Sequence, residues 1–402
     1  MSALLHPFAN PAKAEDNFIS VVKAERSTLW DSNGKSYIDG LASLWYCQVG
    51  HGRREIIDAV HQQMLEFESY HIFDPFTHEP ARQVADAIVS KTPMPEGRVF
   101  LASSGSEAVD TALKIIRLHG QRRGGSGGAK QIIIRREHGY HGTNFGGTTA
   151  QGIASNREGW GDLIPHFVQV PSNDLEAVAS LFAEKGDQIA GIISEPIQGA
   201  GGVIPPADGY LEGLRRLCDD HDALLCFDEV IAGFGRTGSW FGSQTWGVKP
   251  DLFTFAKGVT SGYQPLSGVV ISEDIASDLE QMDEVLRHGY TYSGHAAACV
   301  AGIKNIEIIE SEGLVERANT QLHSWFRDGL SALVADGVIE SYRGQGAIWG
   351  ADLGRDSVPV RDAMLEAGVV VRGIGNVMAF CPPLIITEGE VTQMLDTLVA
   401  SL

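Results

Sequence analysis

The sequence is poor in the features that would make several protein classes plausible. Its five cysteines, Cys47, Cys218, Cys226, Cys299 and Cys381, are scattered with no CxxC pair. That speaks against a disulfide framework. Cys218 and Cys226 fall in apolar segments, so buried free thiols in a reducing compartment are expected. Positive charge is scarce: 31 Lys and Arg stand against 51 Asp and Glu, a net charge of −20. This argues against a nucleic-acid footprint and against binding to an anionic membrane. A small anionic substrate is still allowed, because one arginine can dominate a small pocket. No apolar run approaches membrane-spanning length. The opening MSALLHPFANPAKAED has no basic region followed by an apolar run, so no secretory signal is expected. Internal repeats and long low-complexity tracts are also absent. The expectation is a cytoplasmic protein without nucleic-acid or membrane partners. What remains is an ordinary globular balance, 43% hydrophobic and 20% charged over 402 residues, enough for two or three domains.

From residue 98 to residue 272 the pattern alternates between short apolar runs and amphipathic stretches. Strands are predicted at Arg98–Ala102, Ile132–Ile134, Ile189–Ser194, Leu224–Phe227, Leu252–Ala256 and Gly268–Ile271, with helices at Glu107–Leu118 and Asp208–His221. Such alternation predicts an α/β fold: a mostly parallel central sheet with helices on both faces. Residues 1–60 read as a leading segment, strand-like at Phe18–Arg26, Thr28–Trp30 and Lys35–Ile38. Helical periodicity follows at Ile56–Phe67 and Pro80–Lys91. Residues 311–402 read as a small α+β domain, with strands at Ile339–Tyr342, Ala347–Asp352, Val369–Arg372 and Val377–Phe380. The expected division is 1–60, packing with the small domain, then 61–310 and 311–402. The Gly/Arg-rich stretch 121–129 is expected to be a mobile surface loop.

The stretch Ala223–Gly258 organises the rest. Each of its two apolar strands ends on a polar group, Asp228 and Lys257. Ligands of open α/β sheets bind beyond the carboxyl ends of the strands. A lysine and an acid there are what pyridoxal phosphate requires: an amine to form a Schiff base and a carboxylate to hold the pyridine nitrogen protonated. Taken singly, Lys257 reads as a strand-end surface lysine and Asp228 as a salt-bridge or capping residue. Two further features favour the cofactor. After Arg98–Ala102 come Ser104, Gly105 and Ser106 and then a helix, a strand–turn–helix start whose free N–H groups suit a phosphate. Serine before a helix is also a plain N-cap. Tyr140 and His141 follow another strand, where a ring can stack on a flat cofactor. No carboxylate or cysteine completes a metal set with His138 and His141, so no metal is expected.

The motifs SSGSEA, YHG, EPIQGAGG, FDEVIAGFGRTG, TFAKG, TYSGH and CPPL, in that order, resemble the class III aminotransferases, pyridoxal phosphate enzymes of fold type I. The resemblance runs from about Phe18 to the final helix. It implies that Lys257 is the Schiff-base lysine and proton carrier, and that Asp228 is the partner of the pyridine nitrogen. It places Tyr140 and Val230 on the two faces of the ring, with Ser104, Gly105, Ser106 and His141 also at the cofactor. Glu195 is implied as a supporting acid near Asp228. Thr291 is implied to reach the phosphate of a neighbouring subunit, which makes a homodimer or larger assembly with a shared active site.

Departures from relatives narrow the resemblance. Ornithine- and acetylornithine-type members carry HGRT, with an arginine for the α-carboxylate, where this chain has His141-Gly142-Thr143. They often carry glutamate at the position of Ala200, and glutamine at that of Ile231. The chain is more similar to ω-aminotransferases that act on β-alanine, taurine, putrescine or simple amines with pyruvate. Those share Leu44-Trp45 and an arginine before the last CPPL-like segment, here Arg372. The resemblance therefore implies a small-molecule amino donor and a keto-acid acceptor, and a substrate site of Leu44, Trp45, Tyr140, Ile231 and Arg372. Trp45 reads equally as a core residue, and Arg372 as a surface arginine at a strand end. Arg236 and Arg53 are the next candidates for the carboxylate. Two other readings stay open: a diaminopelargonic acid synthase-like or other class III enzyme, and a catalytically silent scaffold on the same fold.

Overall fold

The computed structural model describes residues 3–124 and 128–402. Three sheets are present among these residues. The first begins with β1 (Val21–Glu25), β2 (Thr28–Asp31) and β3 (Ser36–Asp39). The central sheet collects β4 (Arg98–Ala102), β5 (Ile132–Arg136), β6 (Phe167–Val170), β7 (Ile189–Ser194), β8 (Leu224–Asp228), β9 (Leu252–Phe255) and β10 (Ser267–Ile271). Its spatial order is β4-β10-β9-β8-β7-β5-β6. The third holds β11 (Ser341–Gln345), β12 (Ile348–Asp352), β14 (Arg372–Ile374) and β15 (Val377–Phe380), while β13 (Val369–Val370) joins the first.

The central strands are covered on both faces, which explains their unbroken apolar runs. Every residue of β7, β8, β9 and β10 is buried. Pairing is parallel from β6 through β5, β7 and β8 to β9. β10 runs antiparallel to both β9 and β4, the single reversal in an otherwise parallel sheet. The helix Gly105–Arg123 packs across β7, β9 and β10, and Ala296–Ser311 packs on Arg54–Glu66 and Glu79–Val89. No helix among the described residues is long and apolar enough to cross a membrane.

Several expectations need correction. β6 and the helix Leu175–Lys185 were not foreseen. β6 is an edge strand with a half-exposed face, so its sequence carries no continuous apolar run. The expected strand Val369–Arg372 divides at Val371. Val369 and Val370 pair in parallel with Ile38 and Asp39, whereas Arg372 pairs with Ala379 in another sheet. Only tertiary pairing separates these two halves. In the Gly/Arg-rich stretch, Gln121–Arg123 belong to the helix, and residues 125–127 lie outside the described residues.

At Gly120 the helix Gly105–Arg123 closely approaches β7 and the segment leading into β5. A Cβ there would lie 2.4 Å from the Lys130 carbonyl oxygen and 2.9 Å from the Ala190 Cβ. Gly120→Ala should therefore destabilise the protein by about 1–3 kcal/mol through forced displacement of backbone. Urea unfolding checks this; an unchanged midpoint would show that the helix can shift freely.

Candidate active site

Asp228 ends β8 and is 5% exposed. Three donors converge on its carboxyl group. Oδ1 accepts from the Thr254 hydroxyl at 3.0 Å and the Val230 amide at 3.1 Å, and Oδ2 accepts from His141 Nδ1 at 2.8 Å. Thr254 stands opposite Asp228 in the β8–β9 pairing, which is why its hydroxyl reaches. His141 is itself buried, and its Nε2 has no partner among the described residues.

Lys257 lies just past the end of β9, partly buried, with φ of +48°. That left-handed conformation is uncommon for a residue with a side chain. Burial pulls its ammonium pKa below the usual lysine value, and the nearby charges of Asp228 and Glu195 oppose the shift. Its amino group has no hydrogen-bond partner among the described residues.

Glu195, one residue beyond β7, accepts from the Tyr140 amide at 2.8 Å and the Gly199 amide at 3.0 Å. Burial pushes its carboxyl pKa up to about 7; His141 and the two amides pull against this, and Asp228 adds to it. Tyr140 is held above the ordinary phenol pKa, first by burial and then by Asp228, while Arg372 lowers it. The Arg372 guanidinium thus lies within electrostatic reach of Tyr140. Arg372 is exposed and has no hydrogen bond or ion pair among the described residues.

At the helix start, Ser104 is an N-cap: its hydroxyl accepts from the Glu107 amide at 3.2 Å. Glu107 in return takes the Ser103 and Ser104 amides at 2.8 and 3.1 Å. The amides of Gly105 and Ser106 are left without partners among the described residues. Ser106 Oγ accepts from the Thr143 amide at 3.0 Å and so ties the loop of Tyr140 and His141 to this helix. Gly142 makes the approach possible, since a Cβ there would lie 2.5 Å from Ser106 Oγ. A Cβ on Gly105 would touch Val230 at 3.4 Å and Ala256 at 3.6 Å, so the helix start abuts the segments carrying Asp228 and Lys257.

The remaining candidates are placed differently. Trp45 is 3% exposed and packs in an apolar cluster with Ile197, Val203 and Ile231; Leu44 is 52% exposed. Thr291 is exposed, with no hydrogen bond among the described residues. Arg236 is fully buried and donates to the Ala347 and Pro382 carbonyls and to Gln48. Arg53 is paired with Glu312 at 2.6 Å. Neither offers a free guanidinium to a substrate. A cavity of about 640 Å³ lies elsewhere, between the outer face of Gly105–Arg123 and residues 282–288.

Sequence reasoning missed Thr254 and Glu229. The signal for Thr254 was a hydroxyl inside an apolar strand next to an acid-ended one. Glu229 is fully buried, and its oxygens accept from the Gly242 and Ser243 amides at 2.7 and 2.6 Å.

A free lysine and a three-donor acid at neighbouring strand ends, over a helix start with two free amides, define a pyridoxal phosphate-dependent enzyme of fold type I. Residues 10–402 match the family described as aminotransferase class-III. The chain is 33% identical to the putrescine–pyruvate aminotransferase of Pseudomonas aeruginosa, over 97% of this chain and 92% of that protein. It is 36% identical to an omega-aminotransferase of Caulobacter vibrioides, over 90% and 89% of the two chains. An amine transaminase from an uncultivated Pseudomonas species, solved in its PLP-bound form, superposes with a TM-score of 0.94 at 31% identity, covering 100% of this chain and 98% of its own. The chain belongs to the class III aminotransferases, and like them it is a transferase that uses pyridoxal phosphate.

Burial also pushes the Glu229 pKa up to about 7, against the Ser243 and Gly242 amides, with Asp228 adding to the rise. A carboxyl whose folded pKa is raised binds its proton more tightly when folded. Stability must then fall as pH rises from its unfolded pKa, about 4.3, through about 7. Glu229→Gln should flatten that fall, read as the urea midpoint at a series of pH values. An unchanged slope would assign the pH dependence to other groups, Glu195 first.

Proposed function

We propose that this enzyme is an ω-aminotransferase, carrying an amino group from an amine or ω-amino acid to a keto acid such as pyruvate in two alternating half-reactions. The observation that carries the reading is the unpaired guanidinium of Arg372 beside Tyr140, in the same electrostatic neighbourhood as Asp228, Glu195 and Lys257. A site with an available cation can hold a carboxylate, and a cation on an exposed strand edge can turn away from an apolar amine. The name of the Pseudomonas aeruginosa relative, which pairs putrescine with pyruvate, supports the same reading.

When bound, pyridoxal phosphate supplies a carbonyl that captures amines and a ring that takes up the electron pair left by a departing proton. The residues that would hold it are the Gly105 and Ser106 amides for the phosphate, Tyr140 and Val230 for the ring faces, and Asp228 for the ring nitrogen. Lys257, desolvated and therefore more readily neutral, takes a proton from the substrate carbon and returns one, as base and then acid. His141 and Thr254 fix the orientation of Asp228. Glu195 anchors the Tyr140 amide, so the ring rests on a tethered backbone. Arg372 offers two parallel N–H donors to a carboxylate, a geometry lysine lacks.

A shared site in a homodimer belongs to the same proposal. Thr291 and Tyr292 are exposed, and the cavity beside residues 282–288 is lined by the exposed apolar Phe145, Val285 and Leu286. Such apolar exposure suits contact with a second copy. The grouping of residues 1–60 with 311–402 is supported by the pairing of β13 with β3. Five buried free cysteines favour a cytoplasmic location.

Lys257→Ala should abolish turnover while the protein still retains pyridoxal phosphate non-covalently, measured by absorbance after gel filtration. Substantial transamination by the pure variant would sink the assignment of Lys257. Arg372→Ala should impair single turnover with pyruvate, or with an acidic donor such as β-alanine, by about 2–4 kcal/mol, a rate factor on the order of 30 to 1,000. The half-reaction with 1-phenylethylamine should be spared. Equal loss in both half-reactions would make Arg372 structural.

A further inference from the structure

The third sheet carries a row of four residues in direct register. Arg343 on β11 stands opposite Gly350 on β12, Gly350 opposite Ala379 on β15, and Ala379 opposite Arg372 on β14. Residues directly opposed across a ladder project from the same face. Three strand spacings of about 4.8 Å separate the two arginines by about 14 Å at the backbone. One face of the sheet thus has a guanidinium at each end and small residues between.

The gap is filled by the end of the loop that begins at Glu195. A Cβ on Gly350 would lie 3.2 Å from the Val203 Cβ, and Val203 shares an apolar cluster with Ala379, Ile231 and Trp45. Arg343 grips this segment as a fork. Its Nε donates to the Val203 carbonyl at 2.9 Å and to the Gly202 carbonyl at 3.2 Å, and its Nη2 to the Gly202 carbonyl at 2.8 Å. Val203 is fully buried with φ of +50°, a region that a β-branched residue occupies only when its surroundings impose it. The connection then closes on itself. The same loop holds Glu195, whose carboxyl accepts from the Tyr140 and Gly199 amides, and Tyr140 is within electrostatic reach of Arg372 at the far end of the row.

We infer that Arg343 is a positioning residue for acceptor binding: by clamping the Gly202 and Val203 carbonyls onto the sheet it fixes the distance between Arg372 and Tyr140, and so tunes the site for a carboxylate-bearing keto acid. Arg343 acts through the loop and does not touch the substrate. The amine half-reaction needs Lys257, Asp228, Tyr140 against the cofactor and the helix start but no carboxylate contact, so the distance from Tyr140 to Arg372 does not enter it. The inference rests on the reading of Arg372 as the carboxylate-binding group.

The test is single-turnover kinetics on Arg343→Ala, Arg343→Lys and Arg343→Gln holoenzymes, each paired with Arg372→Ala. Arg343→Ala should slow the pyruvate half-reaction about tenfold and change the 1-phenylethylamine half-reaction less than about twofold, with cofactor retention unaltered. Lys, which keeps charge but loses the fork, should rescue only in part. Adding Arg343→Ala to Arg372→Ala should bring less than about a twofold further loss with pyruvate, because both changes act on one contact. If Arg343→Ala fails to fold, Arg343→Gln carries the same comparison. Equal slowing of both half-reactions, or an unaltered pyruvate half-reaction in a folded variant, overturns the inference. A non-selective Arg372→Ala overturns the acceptor reading itself and this inference with it. A selective Arg372→Ala beside a non-selective Arg343→Ala overturns this inference alone.

Discussion

The constraint on which the site depends is the parallel register of β8 and β9. It sets Asp228 opposite Thr254 and brings Lys257 to the neighbouring strand end, within electrostatic reach of the acid. A buried carboxyl is expensive to desolvate unless donors surround it. Thr254, Val230 and His141 supply those donors, each from a different segment. The loop after β5, the turn after β8 and β9 itself must all be in place for Asp228 to be satisfied. A buried ionisable group thus also ties the surrounding segments together.

Part of the chain's backbone strain lies at segments that carry or adjoin the site. Trp45, His138, Val203, Phe234 and Lys257 all have positive φ without being glycine. Each such residue costs on the order of 1–3 kcal/mol, which only over-determined surroundings sustain. Those surroundings are polar clamps on backbone groups. Arg343 holds the carbonyls of Gly202 and Val203, Arg236 those of Ala347 and Pro382, and Glu229 the amides of Gly242 and Ser243. Buried charges in this protein are spent largely on irregular backbone, because loops at strand ends carry N–H and C=O groups that no ladder can pair.

The legible part of the sequence was the part written in local pattern. Strand ends at Asp228 and Lys257, the small residues before Gly105–Arg123, and the apolar runs of β7 to β9 follow from residue types a few positions apart. Illegible were pairings made at long range. Val369–Val370 and Arg372–Ile374 look like one strand until β3 and β15 claim opposite ends. β6 was missed because a half-exposed edge strand lacks the signature of its buried neighbours. Trp45 shows the limit from the other side. Its sequence fits a pocket wall or a core residue equally, and only its 3% exposure beside Ile231 and Val203 puts it in the packed cluster of this chain.

The two kinds of substrate group are met by two kinds of structure. On the proposed reading the reacting end would face residues rooted in the buried middle of the central sheet, where packing fixes side chains closely. The carboxylate end, on the proposed reading, falls to Arg372, on an edge strand of a separate sheet, exposed and without an ion pair among the described residues. A bound carboxylate meets no competing acid there, whereas at Arg53 it would have to displace Glu312. The penalty is rotamer entropy, up to about 2 kcal/mol for a free arginine, regained in part by a planar fork that needs little ordering per hydrogen bond. For an apolar amine the same arginine need only turn into water, with no buried pair to break. An untethered cation at the mouth of a rigid site is therefore a physical basis for accepting a charged and an uncharged partner in turn, provided the sheet that carries it is held at a fixed distance from Tyr140.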